Sequence, residues 1–456
     1  MRSPTDRQTN RVERSDYGRS RGLRRRNTGH MHRRQFLAAA AGGLWTGSIL
    51  AQERKGSVNE RLALGVIGTN GQGLADTQAI VAAGAEVVAL CDVDENRATD
   101  ARKRYPQAAF YTDFRKMLDA EHKRLDAVLV ATPDHTHAVA TMAALRLGLH
   151  VFCEKPLTHD VYEARQVALA AAYYKRTTQM GTQIHAGSNS RRVVELIRAN
   201  AIGTVREVHV WCDKVHSGGD RPKETPPVPA GLHYDLWLGP APYRPYHPAH
   251  LHFVWRGWWD FGGGTLADMG CHYIDLPFWA LELQHPERIY AEGSPVHPDA
   301  CARWLIVRYE FPARGTWPPV RLTWYDGGKR PPYFQEGLLP RWGDGVLFVG
   351  DKGMLLADYT KHKLLPEKQF ENFTRPKPTI PESVGHYREW VLGCKTGAPT
   401  TCHFGYAGAL TETVLLGLVS YRLGRPITWD WRNLCAINEP KAEEYIRREY
   451  RKGWHL

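Results

Sequence analysis

The sequence Gly264-x-x-x-Asp268-x-x-x-His272 places a carboxylate and an imidazole four residues apart, at the end of a run of three glycines. Residues at this spacing share one face of a helix, so Asp268 and His272 are expected to lie side by side. A neighbouring carboxylate fixes the tautomer of an imidazole and stabilises its protonated form. We therefore expect His272 to accept a proton near neutral pH. The alternative is an ordinary helical pair, with Asp268 simply near the N-terminus.

A second candidate for chemistry is the ammonium group of Lys155, in the segment Glu154-Lys155-Pro156. The preceding residues, His150–Cys153, are typical of a buried strand, so Lys155 stands directly after a strand end. Open parallel sheets bind ligands at the carboxyl ends of their strands. There Lys155 could hydrogen-bond a substrate hydroxyl or a cofactor ribose. The alternative is a solvated lysine on a loop.

The first elements that must position these groups follow the order strand, glycine-rich turn, helix, strand and acid. The strand Arg61–Gly68 enters the turn Gly68-Thr69-Asn70-Gly71-Gln72-Gly73, and Asp92 follows the second strand. This order is the fingerprint of a dinucleotide-binding Rossmann fold, in which the glycines let the backbone approach a pyrophosphate. Asn70 replaces the second glycine of the usual pattern, and asparagine tolerates the left-handed backbone region. The residues of this turn expected to contact the cofactor are Gly68, Asn70, Gly71, Gln72 and Gly73.

The nature of the cofactor is indicated by Asp92. Its carboxylate is expected to accept hydrogen bonds from an adenosine ribose, and its charge disfavours a 2′-phosphate. The sequence therefore predicts NAD rather than NADP.

Polar residues also follow the later strands of this region. The predicted strand Asp126–Ala131 ends in Thr132-Pro133-Asp134-His135-Thr136-His137. Further cofactor contacts are predicted for Thr132, Pro133, His135, His137, Glu154, Lys155 and Gln183. The alternative for the two histidines is a polar helix N-terminus that faces water. A metal site built from Asp134, His135 and His137 has nothing else to complete it, and the eight cysteines lack C-x-x-C spacing, so no metal is predicted.

Beyond residue 183 the pattern changes to strands with few helical signals between them. These strands are predicted at Val205–Cys212, Arg303–Phe311, Val320–Tyr325 and Gly345–Val349. They indicate an open, mostly antiparallel sheet. A charged helix is expected over Ala442–Gly453.

The predicted fold class is therefore α/β, with three parts. Residues 1–56 are expected to form a disordered basic tail and a signal segment. Residues 57–182 form an NAD(P)-binding Rossmann domain with a doubly wound parallel sheet. Residues 183–456 form an α+β domain for substrate binding and oligomerisation.

Residues 218–261 are rich in Pro, His, Trp and Tyr, and this segment is expected to cover a substrate. Aromatic rings offer flat apolar faces that can stack on the C–H faces of sugar rings. The candidates for substrate contact are His233, Tyr234, Trp255, Arg256, Trp258 and Trp259. For each tryptophan the alternative is packing in a core or at a subunit interface, and Arg256 could instead contact the cofactor.

Most of the positive charge lies at the start of the chain. Of the net charge of +12, residues 1–51 carry +8, from eleven Arg and three acidic residues. The remainder is nearly balanced, so a nucleic-acid partner is not supported. From Met31, which is an alternative start, the segment His32-Arg33-Arg34-Gln35-Phe36 and a short apolar run resemble a twin-arginine export signal. We expect export to the periplasm and, because the run is short and glycine-rich, no stable membrane insertion.

Together, the glycine turn with Asp92, the Thr132–His137 segment, Glu154-Lys155-Pro156 and the Gly264–His272 motif resemble the Gfo/Idh/MocA family of oxidoreductases, over roughly residues 60–455. The resemblance implies hydride transfer between NAD(P) and a secondary hydroxyl of a sugar, polyol or glycoside. It assigns catalysis to three residues, Lys155, Asp268 and His272. His272 would take the hydroxyl proton, Asp268 would stabilise the imidazolium, and Lys155 would stabilise the developing alkoxide.

The resemblance leaves three functions open and implies a homo-oligomer, either a dimer or a tetramer. The leading interpretation is a carbohydrate dehydrogenase that oxidises a hydroxyl group. The first alternative is a glycoside-cleaving enzyme that oxidises, eliminates, adds water and reduces again. A non-catalytic carbohydrate-binding protein is less favoured, because Lys155, Asp268 and His272 are all present.

Overall fold

A computed structural model describes residues 61–456 of the chain. The tail and the export signal predicted over residues 1–56 lie outside these described residues. Among residues 61–456, no helix combines the length and the apolarity that crossing a bilayer requires.

The first sheet has six parallel strands in the order β3-β2-β1-β4-β5-β6. Its strands are β1 (Leu62–Ile67), β2 (Ala85–Cys91), β3 (Ala109–Tyr111), β4 (Ala127–Val130), β5 (His150–Cys153) and β6 (Thr178–Met180). The helices that follow its strands are α1 (Gln72–Ala82), α2 (Thr99–Arg104), α3 (Phe114–Glu121), α4 (Asp134–Arg146) and α5 (Val161–Tyr174). The central strands are apolar throughout because both of their faces are buried. The predicted doubly wound sheet is confirmed, and its strand order reverses between β1 and β4, where such sheets bind ligands.

The second sheet has nine strands in the order β13-β12-β11-β7-β10-β9-β8-β14-β15. Its strands are β7 (Val205–Cys212), β8 (Arg288–Gly293), β9 (Leu305–Phe311), β10 (Val320–Asp326), β11 (Gly345–Gly350), β12 (Gly353–Ala357), β13 (His362–Leu365), β14 (Ile427–Asp430) and β15 (Cys435–Ala436). All neighbouring pairs are antiparallel except β7 with β10, which run parallel. The predicted mostly antiparallel sheet is confirmed.

A long buried helix joins the two sheets. The remaining helices are α6 (Ser188–Arg198), α7 (Tyr234–Leu238), α8 (Gly264–Tyr273), α9 (Asp275–Ala280), α10 (His386–Thr396), α11 (Phe404–Leu423) and α12 (Glu443–Ile446). Helix α11 packs against α5 on one side and against β8 and α8 on the other. Glycines permit this close approach, since a Cβ on Gly408 would lie 3.0 Å from Ala168 of α5 and a Cβ on Gly417 would lie 2.9 Å from Leu266 of α8.

The core of the first sheet is completed by a helix from the far end of the chain. Trp390 and Val391 of α10 belong to the same apolar cluster as Leu64, Leu129 and Phe152 of the parallel strands. The Rossmann half therefore draws part of its core from residues beyond position 182, which the boundary predicted from sequence does not include.

The charged helix predicted over Ala442–Gly453 is wrong in extent, because the structure has only the single turn α12 there. The helix ends at Arg447, whose backbone is extended, and the side chain of the next residue contacts the first half of the molecule. The Arg448 guanidinium lies 2.6 Å from the Glu163 carboxylate and donates to the carbonyl of His135. These long-range contacts outweigh the helical propensity of the charged residues.

Candidate active site

A cavity of about 620 Å³ lies at the carboxyl ends of the parallel strands. Its wall contains the glycine turn and Asp92, which follow β1 and β2. It also contains Thr132 after β4, Lys155 after β5, and His272 of α8 from the second half of the molecule. Its size fits a bound cofactor together with a small substrate.

The glycine turn is shaped by close backbone contacts. Gly68 has a φ of 90°, and a Cβ there would lie 2.4 Å from the carbonyl oxygen of Ala131. A Cβ on Gly73 would lie 2.1 Å from the carbonyl oxygen of Gly68. The turn therefore requires glycine at both positions.

Asn70 differs from the expectation that it adopts a left-handed conformation. That position belongs to Gly71, whose φ is 55°, while Asn70 keeps a negative φ. Asn70 instead exchanges two hydrogen bonds with Arg97, at 2.9 Å to the Arg97 carbonyl and 2.6 Å from its guanidinium. The amide therefore fixes the turn to the segment after β2.

Asp92 holds the other side of the turn while it lines the cavity. Its Oδ2 accepts hydrogen bonds from the backbone N–H and the hydroxyl of Thr69, at 2.8 and 2.9 Å. Its Oδ1 accepts from the backbone N–H of Asp94 at 3.0 Å. Burial raises the pKa of Asp92, although these hydrogen bonds oppose the shift. A carboxylate has lone pairs to spare, so Asp92 can still accept from a ligand.

The two halves of the molecule meet at an ion pair between Lys155, which lines the cavity, and Asp268. Lys155 Nζ lies 2.7 Å from Asp268 Oδ1 and 2.9 Å from the Asp268 carbonyl oxygen. The Asp268 side chain is buried, at 8% exposure, and the Lys155 side chain is only 12% exposed. Lys155 enters from the end of β5 and Asp268 from α8, which the glycine run introduces. Gly264 begins this helix with a φ of 66°, in close contact with Cys301.

Asp268 is shared among three cationic or hydrogen-bonding groups. Besides Lys155, its Oδ1 accepts from Arg256 Nε at 2.9 Å, and its Oδ2 lies 3.1 Å from His216 Nε2. Burial alone would raise the pKa of Asp268, but the hydrogen bond from His216 and the charges of Lys155 and Arg256 hold it far below its usual range. The carboxylate is therefore ionised at all physiological pH values.

The predicted pairing of Asp268 with His272 is wrong. The carboxylate is turned towards Lys155, Arg256 and His216, and the Nδ1 of His272 is buried with no hydrogen-bond partner. The His272 ring still lines the cavity. Burial and the charge of Lys155 lower the pKa of His272 to about 3, so its imidazole is neutral near pH 7.

His216 and Asp76 are two residues near the site that the sequence patterns did not single out. The sequence feature that could have identified His216 is its position just after β7, at a strand end.

Asp76 is fully buried in α1, and its carboxylate accepts a hydrogen bond from Gln72 Nε2 at 2.7 Å. Glu154 is also buried and accepts from Gln183 Nε2 at 2.8 Å, while burial and the charge of Asp76 raise its pKa well above its usual range. Gln72, Glu154 and Gln183 line the cavity, as do Thr132 and Pro133.

The two histidines predicted to contact the cofactor do not line the cavity. His135 is fully buried, with Nε2 at 2.8 Å from the Trp237 carbonyl oxygen. His137 is also buried, and its ring nitrogens lie 2.8 Å from the Pro156 carbonyl and 2.7 Å from the Thr132 carbonyl. The hydrogen bonds of His137 tie together the segments that follow β4 and β5, and the bond of His135 ties α4 to Trp237 of α7. These hydrogen bonds show that His135 and His137 position the backbone beside the cavity and do not make the predicted contact with the cofactor.

The aromatic segment contributes most of one apolar cluster, and only some members of that cluster line the cavity. Trp255 and Arg256 line the cavity, together with Trp237 and Phe253, which were not predicted. The Arg256 guanidinium is stacked between the rings of Phe253 and Trp255, at 4.6 and 4.2 Å from their centroids. Such cation–π contacts hold the guanidinium in place while it bonds Asp268.

The other predicted substrate contacts point elsewhere. Trp258 and Trp259 are buried and donate from Nε1 to the carbonyls of Ala249 and His297. Tyr234 is buried against Trp237. His233 is exposed, with Nε2 at 3.0 Å from the Glu95 carboxylate. For these four residues, packing or surface pairing replaces the predicted contact with substrate.

The comparisons with known proteins give the class of this fold and site. A model of the NAD-binding Rossmann fold of the Gfo/Idh/MocA oxidoreductase family matches residues 62–182, and a model of the C-terminal alpha/beta domain of the same family matches residues 199–317. The chain belongs to the Gfo/Idh/MocA family of oxidoreductases. The predicted NAD-binding Rossmann domain is confirmed.

Individual relatives align over part of their length. Inositol 2-dehydrogenase of Rubrobacter xylanophilus is 32% identical over 148 residues, which are 32% of this chain and 42% of that protein. A glycosyl hydrolase family 109 protein of a Shewanella species is 26% identical over 204 residues, 38% of this chain and 44% of that protein. The chain thus spans less than half the length of either curated relative. The crystal structure of myo-inositol 2-dehydrogenase from Lactobacillus plantarum has the same fold, with a TM-score of 0.55 at 17% identity, covering 81% of this chain and 100% of that one.

Proposed function

We propose that this protein is an NAD-dependent oxidoreductase that acts on a secondary hydroxyl of a sugar, polyol or glycoside. The observation that carries the proposal is Lys155, which lines the same cavity as the glycine turn and is held there by Asp268 at 2.7 Å. A fixed ammonium at this place can stabilise negative charge that develops on a substrate oxygen. The inositol 2-dehydrogenase relatives favour the same class of substrate.

The residues of the cavity fit the cofactor that the family binds. Without a side chain at Gly68 and Gly73, the backbone can approach a pyrophosphate at the N-terminus of α1. The carboxylate of Asp92 suits a ribose with free hydroxyls and repels a 2′-phosphate, which favours NAD over NADP. When bound, the nicotinamide supplies the acceptor or donor of the hydride.

The catalytic residues proposed are Lys155, Asp268 and His272. Lys155 stabilises the oxygen that becomes an alkoxide, and Asp268 orients its ammonium group. Arg256 donates to the same oxygen of Asp268, and His216 lies against the other oxygen. The neutral ring of His272 offers the substrate hydroxyl a hydrogen bond.

The test is to incubate the purified protein with NAD⁺ and a panel of sugars, polyols and glycosides, following NADH and the sugar products. We expect NADH formation with at least one member of the panel. If the protein binds NAD⁺ but neither NADH nor any product forms with any compound, the proposal is wrong.

A second candidate is cleavage of a glycoside through transient oxidation. The match to the glycosyl hydrolase family 109 protein favours it. The two functions share the cavity but differ in their products. Release of free sugar without net NADH would select the cleavage reaction.

We also propose export and self-association. The segment around Arg33 and Arg34 supports export to the periplasm by the twin-arginine route. The open nine-stranded sheet offers a broad face for a dimer or a tetramer. Cell fractionation with an Arg33→Lys, Arg34→Lys variant and light scattering of the purified protein test these two proposals.

Gly68→Ala is expected to weaken NAD⁺ binding by at least about tenfold, because its Cβ would lie 2.4 Å from the backbone of Ala131 and displace the turn. The measurement is the dissociation constant of NAD⁺ by calorimetry. Gly148→Ala is the control, since Gly148 also has a positive φ, of 76°, but a Cβ there meets nothing within 4 Å. It should lose a little stability and keep its affinity for NAD⁺. Equal affinities in both variants would contradict the assignment of the turn.

A further inference from the structure

Trp454 is a half-buried ring in the cavity wall that the assigned roles leave unexplained. It lines the cavity together with residues 112–114, which follow β3. Within residues 61–456, every other residue of this wall lies between positions 67 and 272, so Trp454 reaches the cavity from a distant part of the chain. Its indole ring offers a flat apolar face to a bound molecule.

The order of the parallel strands shows which end of the cavity contains Trp454. The sheet runs β3-β2-β1-β4-β5-β6, and Lys155 follows β5, beyond the reversal point between β1 and β4. Asp92 follows β2 on the other side, and the residues beside Trp454 follow β3, one strand further out. A Rossmann fold places the adenosine ribose next to the acid after its second strand. Trp454 therefore lies at the adenosine end of the cavity, opposite the end that contains Lys155.

The ring of Trp454 is held by two residues at the start of α3. The guanidinium carbon of Arg115 lies 4.4 Å from the centroid of the Trp454 ring, and the Phe114 ring centroid lies 6.0 Å away. Arg115 is itself fixed by Asp113, to whose carboxylate it donates from Nε at 2.9 Å and from Nη2 at 2.7 Å. The cation–π contact with Arg115 therefore orients the indole ring in the cavity wall.

The segment that carries Trp454 is anchored to both halves of the molecule. Before the tryptophan, Arg451 donates to the backbone carbonyl of Asp235 at 2.7 Å and forms an ion pair with the Asp235 carboxylate. After the tryptophan, the carbonyl of Leu456 accepts a hydrogen bond from Arg146 of α4 at 2.8 Å. Because the segment is already ordered on both sides of the ring, a ligand that binds against it pays little to order it.

We propose that Trp454 is a cofactor-binding residue, whose ring stacks on the adenine of bound NAD. Every nucleobase has a flat π face, and stacking on an aromatic side chain contributes strongly to its binding. Residues 447–456 thus complete the adenosine end of a site whose phosphate end is formed by the glycine turn. This inference rests on the NAD binding that the proposed function requires, and it concerns affinity for the cofactor rather than the chemistry beside Lys155.

The test is the dissociation constant of NAD⁺ and of ADP-ribose, measured by calorimetry in wild type and in Trp454→Ala. ADP-ribose carries the adenine ring but no nicotinamide, so its affinity reports on the adenosine end alone. We expect Trp454→Ala to weaken the binding of both ligands by about tenfold and by the same factor. Weaker binding of NAD⁺ with unchanged binding of ADP-ribose would place the ring at the nicotinamide or the substrate and would overturn the inference.

Two further substitutions separate stacking from simple filling of the wall. Trp454→Phe keeps a flat ring and should bind both ligands within about threefold of the wild type. Trp454→Leu keeps an apolar side chain without a ring, and it should lose about as much affinity as Trp454→Ala. It also replaces the alanine variant in the test if that variant does not fold. Affinities equal to those of the wild type in Trp454→Leu would show that no ring is needed, and the inference would be wrong.

Trp304→Ala is the matched control. Trp304 is also half-buried and also has a cation over its ring, since the Lys329 ammonium lies 4.3 Å from the ring centroid, but it does not line the cavity. Its removal should leave both dissociation constants unchanged. Equal losses in Trp304→Ala and Trp454→Ala would mean that losing any such tryptophan weakens binding, and Trp454 would then have no special role.

The binding measurements need no turnover, so they separate this inference from the proposed function. If all Trp454 variants bind both ligands as the wild type does, while the wild type oxidises a sugar, only the role of Trp454 is wrong. If ADP-ribose binding depends on the ring but the wild type turns over no compound of the panel, the proposed function is wrong and the adenine contact stands.

Discussion

Lys155→Met is expected to lower kcat/KM for sugar oxidation by about 100- to 1000-fold, the usual cost of removing one donor that stabilises a developing oxyanion. Methionine has a similar length and no charge, so the cavity keeps its shape. The NAD⁺ site should remain, because the glycine turn and Asp92 are untouched. The defect should therefore appear in turnover rather than in the dissociation constant of NAD⁺, measured by calorimetry.

The matched control for Lys155→Met is Lys214→Met. Lys214 also reaches α8, where its Nζ lies 3.2 Å from the Met269 sulfur, but it is exposed and does not line the cavity. Its removal should change kcat/KM by less than about threefold, since an exposed charge is well screened by solvent. Equal losses in the two variants would mean that only the overall positive charge matters. Undiminished turnover in Lys155→Met would remove Lys155 from the mechanism.

Much of the fold could be predicted from local sequence. The glycine turn, the following helix and Asp92 specify their own geometry, because Gly68 and Gly73 have contacts that no side chain permits. Strand ends likewise mark where polar residues gather in a parallel sheet. This rule places Lys155 and Thr132 at the cavity without any knowledge of the second half of the chain.

The partners of Asp268 could not be predicted in the same way. Helical spacing offers His272 as the neighbour of Asp268, but spacing within one helix says nothing about groups from other segments. Lys155, Arg256 and His216 reach the carboxylate from a strand end, a 3-10 turn and the segment after β7. Three charged or polar contacts from outside the helix outweigh one weak contact within it.

The aromatic segment also contains contacts that local sequence could not predict. Its composition indicates a cover rich in rings, but composition does not say which way each ring faces. Trp255 and Trp258 belong to one apolar cluster, but only Trp255 lines the cavity, whereas Trp258 donates its N–H to the Ala249 carbonyl. Only the path of the backbone through this irregular segment decides the difference.

Asp268→Asn is expected to destabilise the protein by about 3 kcal/mol at pH 7, because it leaves Lys155 and Arg256, whose side chains are only 12% and 20% exposed, without their shared counter-charge. The amide can still accept a hydrogen bond, but it cannot balance either cation. The loss should appear as a lower midpoint in urea unfolding. Activity should fall as well, since Lys155 loses the group that orients it.

The effect of Asp268→Asn should depend on pH in a defined direction. The pKa of Asp268 is held far below the value of about 3.9 for an aspartate in an unfolded chain. Its contribution to stability is therefore fully present above about pH 4 and is lost as the pH falls below that value. Unfolding midpoints of wild type and variant should differ most at neutral pH and converge in acid.

Glu292→Gln provides the control for Asp268→Asn. Glu292 pairs with Arg308 at 2.8 Å, but the two side chains are 40% and 41% exposed. Exposed pairs contribute less than about 1 kcal/mol, so this variant should unfold almost as the wild type does. A loss for Asp268→Asn no larger than for Glu292→Gln, or one that does not change with pH, would show that the carboxylate does not hold the two halves of the cavity together. Lys155 would then have to be positioned by the backbone that follows β5 rather than by its ion pair.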